Sequence, residues 1–205
     1  AQEGWNLIGN PYLADINITK HQNVIFDEHK VTKFVYQYNK ELDNYITFDM
    51  TNYDEEQKII PFQSYFVQTL APEAELTVTP VAKEVTLNRR TFDYYTANEY
   101  TSVRLKLYAE DKEQDRTDII WEEGASADFV VNEDAPKFWS LSATANQLFS
   151  AAGESAASVN TLPMDTEEVK LGLRIGTPGK LSLRLSRITG FTGDDEVIPV
   201  SYTHL

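Results

Sequence analysis

The stretch that most restricts the fold is Gly4-Trp5-Asn6-Leu7-Ile8-Gly9-Asn10-Pro11-Tyr12, where strand-like alternation runs into Asn-Pro. The proline ring holds Asn10 extended and removes the next ladder donor, so a strand must stop or bend there. A domain opens at this point. Trp5 and Leu7 are expected to fill a core, Asn6 and Asn10 to bond loop backbone, and Pro11 to end the pairing.

Downstream, Tyr12 to Ile18 and Val24-Ile25-Phe26 fit either a short helix or an irregular crossing, because their period decides nothing. Lys33 to Asn39 reads as a strand with Phe34, Tyr36 and Tyr38 on one face, and it makes a hairpin with Tyr45-Ile46-Thr47-Phe48. Asp54-Glu55-Glu56 reads as a solvated loop. Ile59 to Gln68 carries apolar residues on both faces, which predicts two-sided burial or a place in the middle of a sheet. Leu76-Thr77-Val78-Thr79-Pro80 alternates again and ends on a proline.

The second half starts with a polar and aromatic stretch, 83–100, that includes Arg89, Arg90, Tyr94 and Tyr95. In Ser102 to Tyr108 the residues Val103, Leu105 and Leu107 alternate with long polar side chains, predicting one core face and one wet face. A solvated turn over Glu110 to Arg116 then leads into Asp118-Ile119-Ile120-Trp121. From Ser140 to Thr161 the composition of Ala, Ser, Thr and Asn predicts short strands joined by exposed loops, with a marginal helix near Ala151 as the alternative. Finally, Leu171 to Leu185 predicts a hairpin. Ile175 would oppose Leu181, Leu173 oppose Leu183 and Leu171 oppose Leu185, around a Thr177-Pro178-Gly179 loop.

Composition closes off several classes of function. A formal charge of -14 repels phosphate backbones and anionic lipid alike, and no Lys/Arg cluster reverses that field locally. No apolar run approaches the ~20 residues of a spanning helix. The absence of cysteine excludes disulfides, thiolate metal sites and cysteine nucleophiles. Aromatics at 12% suit half-buried strands. The start, Ala1-Gln2-Glu3, has no signal-peptide character, so the chain is read as part of a longer protein, and the tail 201–205 is given no functional weight.

Candidate chemistry is sparse. His21, His29 and His204 lack the spacing that aligns metal ligands on a helix. Glu122, Glu123, Asp128 and Asp134 are carboxylates in a loop-rich segment and are the calcium candidates, although they lack the regular spacing of a dedicated calcium loop. A glycosidase would need two carboxylates across a cleft, and so acidic a chain singles out no pair. No nucleophile elbow, phosphate loop or dinucleotide fingerprint occurs. Tyr36, Tyr38 and Tyr45, or Tyr94, Tyr95 and Trp139, could present flat faces to a sugar ring, while cross-strand packing explains the same residues equally simply.

The pair formed by Trp5-Asn6-Leu7-Ile8-Gly9-Asn10-Pro11-Tyr12 and Ile60-Pro61-Phe62-Gln63-Ser64-Tyr65-Phe66-Val67 resembles a module of large secreted surface proteins of Bacteroidota, often exported by the type IX system. Tyr65 stands where that module usually has phenylalanine. Residues 121–139, with the step Asp134-Ala135-Pro136-Lys137-Phe138, resemble the companion region that follows it. The resemblance implies a secreted or outer-surface location and a β architecture.

The expected fold is therefore all-β and mainly antiparallel. It consists of two tandem β-sandwich-like domains, jelly-roll or Ig-like, over 1–82 and 83–205, with a single continuous sandwich as the alternative. The expected function is a non-catalytic structural, adhesion or assembly module of a larger surface-exposed bacterial protein, without cofactor. Its partners would be neighbouring domains of the same polypeptide, with a glycan or surface protein as further candidates. A carbohydrate-binding module is the second reading and a glycoside hydrolase fragment the third.

Overall fold

In a computed structural model, which describes residues 4–19, 23–51, 57–79 and 101–191, the chain is all-β, with no helix among the described residues. Strands β1 (Trp5–Gly9), β4 (Val31–Asn39), β5 (Asn44–Asp49) and β7 (Ser64–Thr69) form an antiparallel sheet in the order β1-β7-β4-β5. Two short ribbons flank it, β2 (Ile16–Asn17) with β6 (Lys58–Ile59) and β3 (Val24–Phe26) with β8 (Leu76–Val78). These ribbons answer the open question over 12–26 with short strands.

The remaining strands, β9 (Thr101–Ala109), β10 (Lys112–Glu122), β11 (Ala135–Pro136), β12 (Gln147–Ala152), β13 (Ser155–Pro163), β14 (Leu171–Arg174) and β15 (Leu181–Thr189), form one sheet. Its order is β14-β12-β13-β10-β9-β15, with β11 also on β13. Among the described residues every strand pairing is antiparallel except β10 with β13. The expected border near 82 lies outside the described residues.

The motifs Trp5 to Tyr12 and Ile60 to Val67 are neighbours in space: β1 pairs with β7 from Trp5 opposite Gln68 to Gly9 opposite Ser64. Asn10 is buried, and its amide donates to the carbonyls of Ala14 (3.0 Å) and Ile59 (2.9 Å) while its Oδ1 accepts from the Tyr12 N–H. One side chain thus replaces the ladder that Pro11 interrupts. The β7 strand lies between β1 and β4, as two-sided apolarity predicts. Tyr65 and Val67 face an aliphatic core with Ile16, Ile18, Val24, Val35, Ile59 and Met50, and Phe66 joins a second cluster. The β4–β5 hairpin forms with Tyr38 opposite Tyr45.

Several expectations need correction. Leu7 is 62% exposed, so the strand's inward residues are Trp5 on one cluster and Ile8 on the other. The polar face of β9 is not wet: Ser102 and Arg104 are buried, and the Arg104 guanidinium reaches Asp118 through Nε at 2.6 Å and Nη2 at 3.0 Å. The expected turn over Glu110 to Arg116 is mostly strand, because β10 begins at Lys112. Residues 140–161 hold the expected short strands, β12 and β13, joined by an exposed turn at Gly153-Glu154, but Ala157 to Leu162 are all buried. Small side chains let these strands pack closely without the bulky alternation that marks a strand in sequence.

Nor is Leu171 to Leu185 a hairpin. β14 pairs with β12 and β15 pairs with β9, at opposite edges of the sheet. The intended loop is tied elsewhere. The N–H groups of Gly176 and Thr177 both donate to Asn146 Oδ1 at 3.0 Å, and a Cβ on Gly176 would stand 2.5 Å from the backbone of Thr144. Alternation identified two strands correctly but carries no information about their partners.

Candidate functional site

The two halves meet through side chains as well as chain connection. Phe34, Tyr36, Ala135 and Val159 form a buried cluster against which Trp5, Phe66, Ile120 and Phe138 pack. Phe138 is its hub: it stacks on Tyr36 with centroids 4.3 Å apart and meets Trp5 at 4.6 Å, Tyr45 at 5.4 Å and Phe66 at 5.8 Å. Edge-on and offset contacts of this kind add about 0.5–1.5 kcal/mol per pair beyond area burial. Polar contacts surround the cluster. Thr47 and Ser158 share a buried hydroxyl hydrogen bond of 2.9 Å, Arg116 donates to the Thr47 carbonyl at 3.2 Å, and Gln147 donates to Asn44 Oδ1 at 3.0 Å.

This seam contains most of the described sugar-platform candidates. Tyr36 is fully buried, Tyr45 is edge-on to Phe138 and Phe66, and Tyr38 stands edge-on to Tyr45 at 5.4 Å with its hydroxyl donating to Asp43. That bond raises the Tyr38 phenol, whereas a contact from Ser142 first and the Tyr38 bond second lower Asp43. Trp139 sits apart, edge-on to Phe149 and beneath Arg174. Exposed ring area thus remains at Tyr38 and Trp139. Tyr94, Tyr95, His21 and His204 lie outside the described residues, and so do Arg89, Arg90 and the run Asp54-Glu55-Glu56.

Among the calcium candidates, Glu122, Glu123 and Asp128 are exposed, and Asp134 is buried with both oxygens used. Oδ1 accepts from the Thr161 N–H and Oδ2 from the Val130 N–H, each at 2.7 Å. Burial pushes the Asp134 carboxyl up against the pull of those two N–H groups. It is a backbone cap for the turn preceding β11. No group of three or more His, Asp or Glu suited to a metal occurs among the described residues. Comparison of the chain with family models, with curated proteins and with solved structures gave no match.

A small cavity of about 30 Å³ opens at the seam beside Arg104, Asp118, Thr47, Gln57 and Arg187. It has room for water rather than for a sugar ring.

The most unusual chemistry lies in the second half's interior, at a pair that sequence reading did not single out. Lys137 Nζ contacts Asp115 Oδ2 at 2.5 Å, with the side chains 1% and 3% exposed. Asp115 also accepts from the Leu148 N–H at 2.7 Å and, through Oδ1, from the Arg116 N–H at 2.9 Å. Burial drives the carboxyl up and the ammonium down, each partly restrained by the other. A register shift in the pairing of β10 with β9, between Glu113 and Asp115, turns Asp115 inward, and such a bulge leaves no mark in the polarity pattern of the sequence.

At the sheet's two edges, Leu171, Leu173 and Ile175 and, on the other side, Leu183, Leu185 and Ile188 are all exposed. Alternation placed Leu171, Leu173, Ile175, Leu183 and Leu185 on one shared hairpin face. The side chains instead form apolar rows along edge strands, which natural proteins ordinarily cover or charge.

Proposed function

We propose that the chain is a non-catalytic structural, adhesion or assembly module of a larger secreted, surface-exposed bacterial protein, built from two tandem β-sandwich-like units joined at the aromatic seam. The observation that carries this reading is the pair of apolar rows on β14 and β15, since exposed apolar rows at sheet edges mark contact surfaces. Neighbouring domains of the same polypeptide are the natural occupants. The likeness of Trp5 to Tyr12 and Ile60 to Val67 to the Bacteroidota surface module supports the location, and the charge of -14 speaks against nucleic acid.

Lys170 and Lys180, both exposed, stand at the starts of β14 and β15 and report on these edges. Amine cross-linking on intact cells that make the parent protein should join these two lysines to neighbouring domains. Recovery of the protein only from the cytosol, with neither lysine cross-linked, would overturn the proposal.

A carbohydrate-binding role is the second reading, favoured by the exposed rings of Tyr38 and Trp139. Affinity electrophoresis in soluble polysaccharide gels separates the two. Unchanged mobility supports the structural module, whereas retardation abolished by Tyr38→Ala or Trp139→Ala supports glycan binding.

A further inference from the structure

We propose that Lys137 and Asp115 condense into an intramolecular amide that covalently ties β10 to the chain just after β11. The geometry brings the two reacting groups together. Amine and carboxyl touch at 2.5 Å, in a site almost closed to water, with both elements held by the sheet. Positioning of this kind replaces a bimolecular encounter with a local one, and it is worth several orders of magnitude in rate.

Two main-chain donors are aimed at the carboxyl group. The Arg116 N–H meets Oδ1, where negative charge gathers as the carbon becomes tetrahedral, and the Leu148 N–H meets Oδ2, the oxygen that departs. The reacting forms are the neutral amine and the protonated acid. Burial shifts both groups in that direction. The Nζ lone pair attacks Cγ, the C–N bond forms and the Cγ–Oδ2 bond breaks. One proton from Nζ and the acid proton leave with Oδ2 as a single water. No oxidant, metal or activated co-reactant enters the balance.

The site also favours the product. An ion pair that has lost its hydration is costly to keep, whereas a neutral amide makes no such demand and releases its water to bulk solvent. The amide keeps Oδ1 as its carbonyl oxygen, still accepting from the Arg116 N–H, while the Leu148 N–H gives up the acceptor that departs. A closed loop from Asp115 to Lys137 restricts the unfolded chain and resists extraction of β10 from the sheet.

Intact-mass measurement of the purified whole chain under denaturing conditions tests the idea directly. The expected mass is lower than the sequence mass by one water. Tandem mass spectrometry of a protease digest is expected to give a branched peptide joining Lys137 to Asp115. Lys137→Arg is expected to restore the full sequence mass. A wild-type mass equal to the sequence mass overturns the proposal, as does a water loss confined to the Asp115 peptide without Lys137, which marks a cyclic imide instead. The measurement reads the wild-type protein, so it stands even if the variant fails to fold.

Discussion

In the first half the main buried cluster is Ile16, Ile18, Val24, Val35, Ile59 and Val67, an aliphatic core closed by Phe48, Met50 and Tyr65, although Asn10, Asn17, Thr19, Asn23, Thr32, Asn44 and Thr47 are also buried in that half. In the second half the interior is built from Ser150, Ser158, Thr117, Thr161, Gln147, Asn160 and the Lys137–Asp115 pair, with Leu107, Leu148 and Ile119 among them. Both regions exclude water, but by different physics. The first gains from apolar area and tolerates small shifts, because dispersion has no direction. The second depends on matched donors and acceptors, so a single missing partner leaves a buried polar group unpaired. That half is also where most of the orphans sit. Gln147 Oε1, Asn160 Oδ1 and Ser102 Oγ have no hydrogen-bond partner.

The sharpest test of that contrast is Asp115→Ala. It strands Lys137 in a closed interior and removes the acceptor of the Leu148 and Arg116 N–H groups. The expected loss is at the upper end of about 3–5 kcal/mol, read as a fall in the urea midpoint. Replacing both partners, as Asp115→Leu with Lys137→Met, is expected to recover much of it, since an apolar pair needs no partner. A loss below about 1 kcal/mol for the single variant would mean that the interior rearranges freely, and the contrast would fail.

Tyr36→Ala addresses the seam. Tyr36 is fully buried between Trp5 and Phe138, and its removal opens a cavity bordered by residues of both halves. A cost of about 3 kcal/mol is expected, with a single unfolding transition before and after the change. Two separated transitions in the wild type would show that the halves unfold independently and that the seam couples them weakly.

A smaller effect measures the polar contacts around that cluster. Thr47 and Ser158 belong to different halves and share a buried hydroxyl bond. A double-mutant cycle of Thr47→Val and Ser158→Ala should give a coupling energy of about 0.5–1.5 kcal/mol. Additivity within about 0.3 kcal/mol would reduce the bond to incidental contact.

Legibility follows the same divide. Alternation with large side chains made β4, β5, β7 and β9 readable, and Asn-Pro placed the end of β1 correctly. Short strands were expected over Ser140 to Thr161, but the burial of β13 was hidden because Ala156, Ala157, Ser158, Asn160 and Thr161 look like exposed residues to any scale that equates burial with bulk. The hairpin over Leu171 to Leu185 failed for another reason. Register logic assumes that consecutive strands pair, and here Asn146 captures the loop backbone and sends the strands to opposite edges. Of the candidate site, the aromatic residues were legible as a set, whereas the Lys137–Asp115 contact depends on a bulge and a long-range pairing that sequence spacing does not encode.

Tyr65 is the aliphatic core's one polar exception, and it carries the smallest expected effect. Its hydroxyl is buried without a partner, so Tyr65→Phe removes a desolvated group and loses no hydrogen bond. The change is expected to be neutral or stabilising by up to about 1 kcal/mol at neutral pH. Burial, with a minor contribution from the neighbouring Tyr12 phenol, pushes Tyr65 up to about 12 from 10.0. A raised value means that the folded state holds the proton more tightly than the unfolded state. The associated stability is therefore fully present below 10.0 and is lost as pH rises through about 12. Ultraviolet titration of tyrosinate should show one late-ionising group that disappears in Tyr65→Phe, and the variant should lose less stability than the wild type across that interval. A destabilised variant would mean that the hydroxyl has a partner after all, and the first core would then share the second core's dependence on matched polar groups.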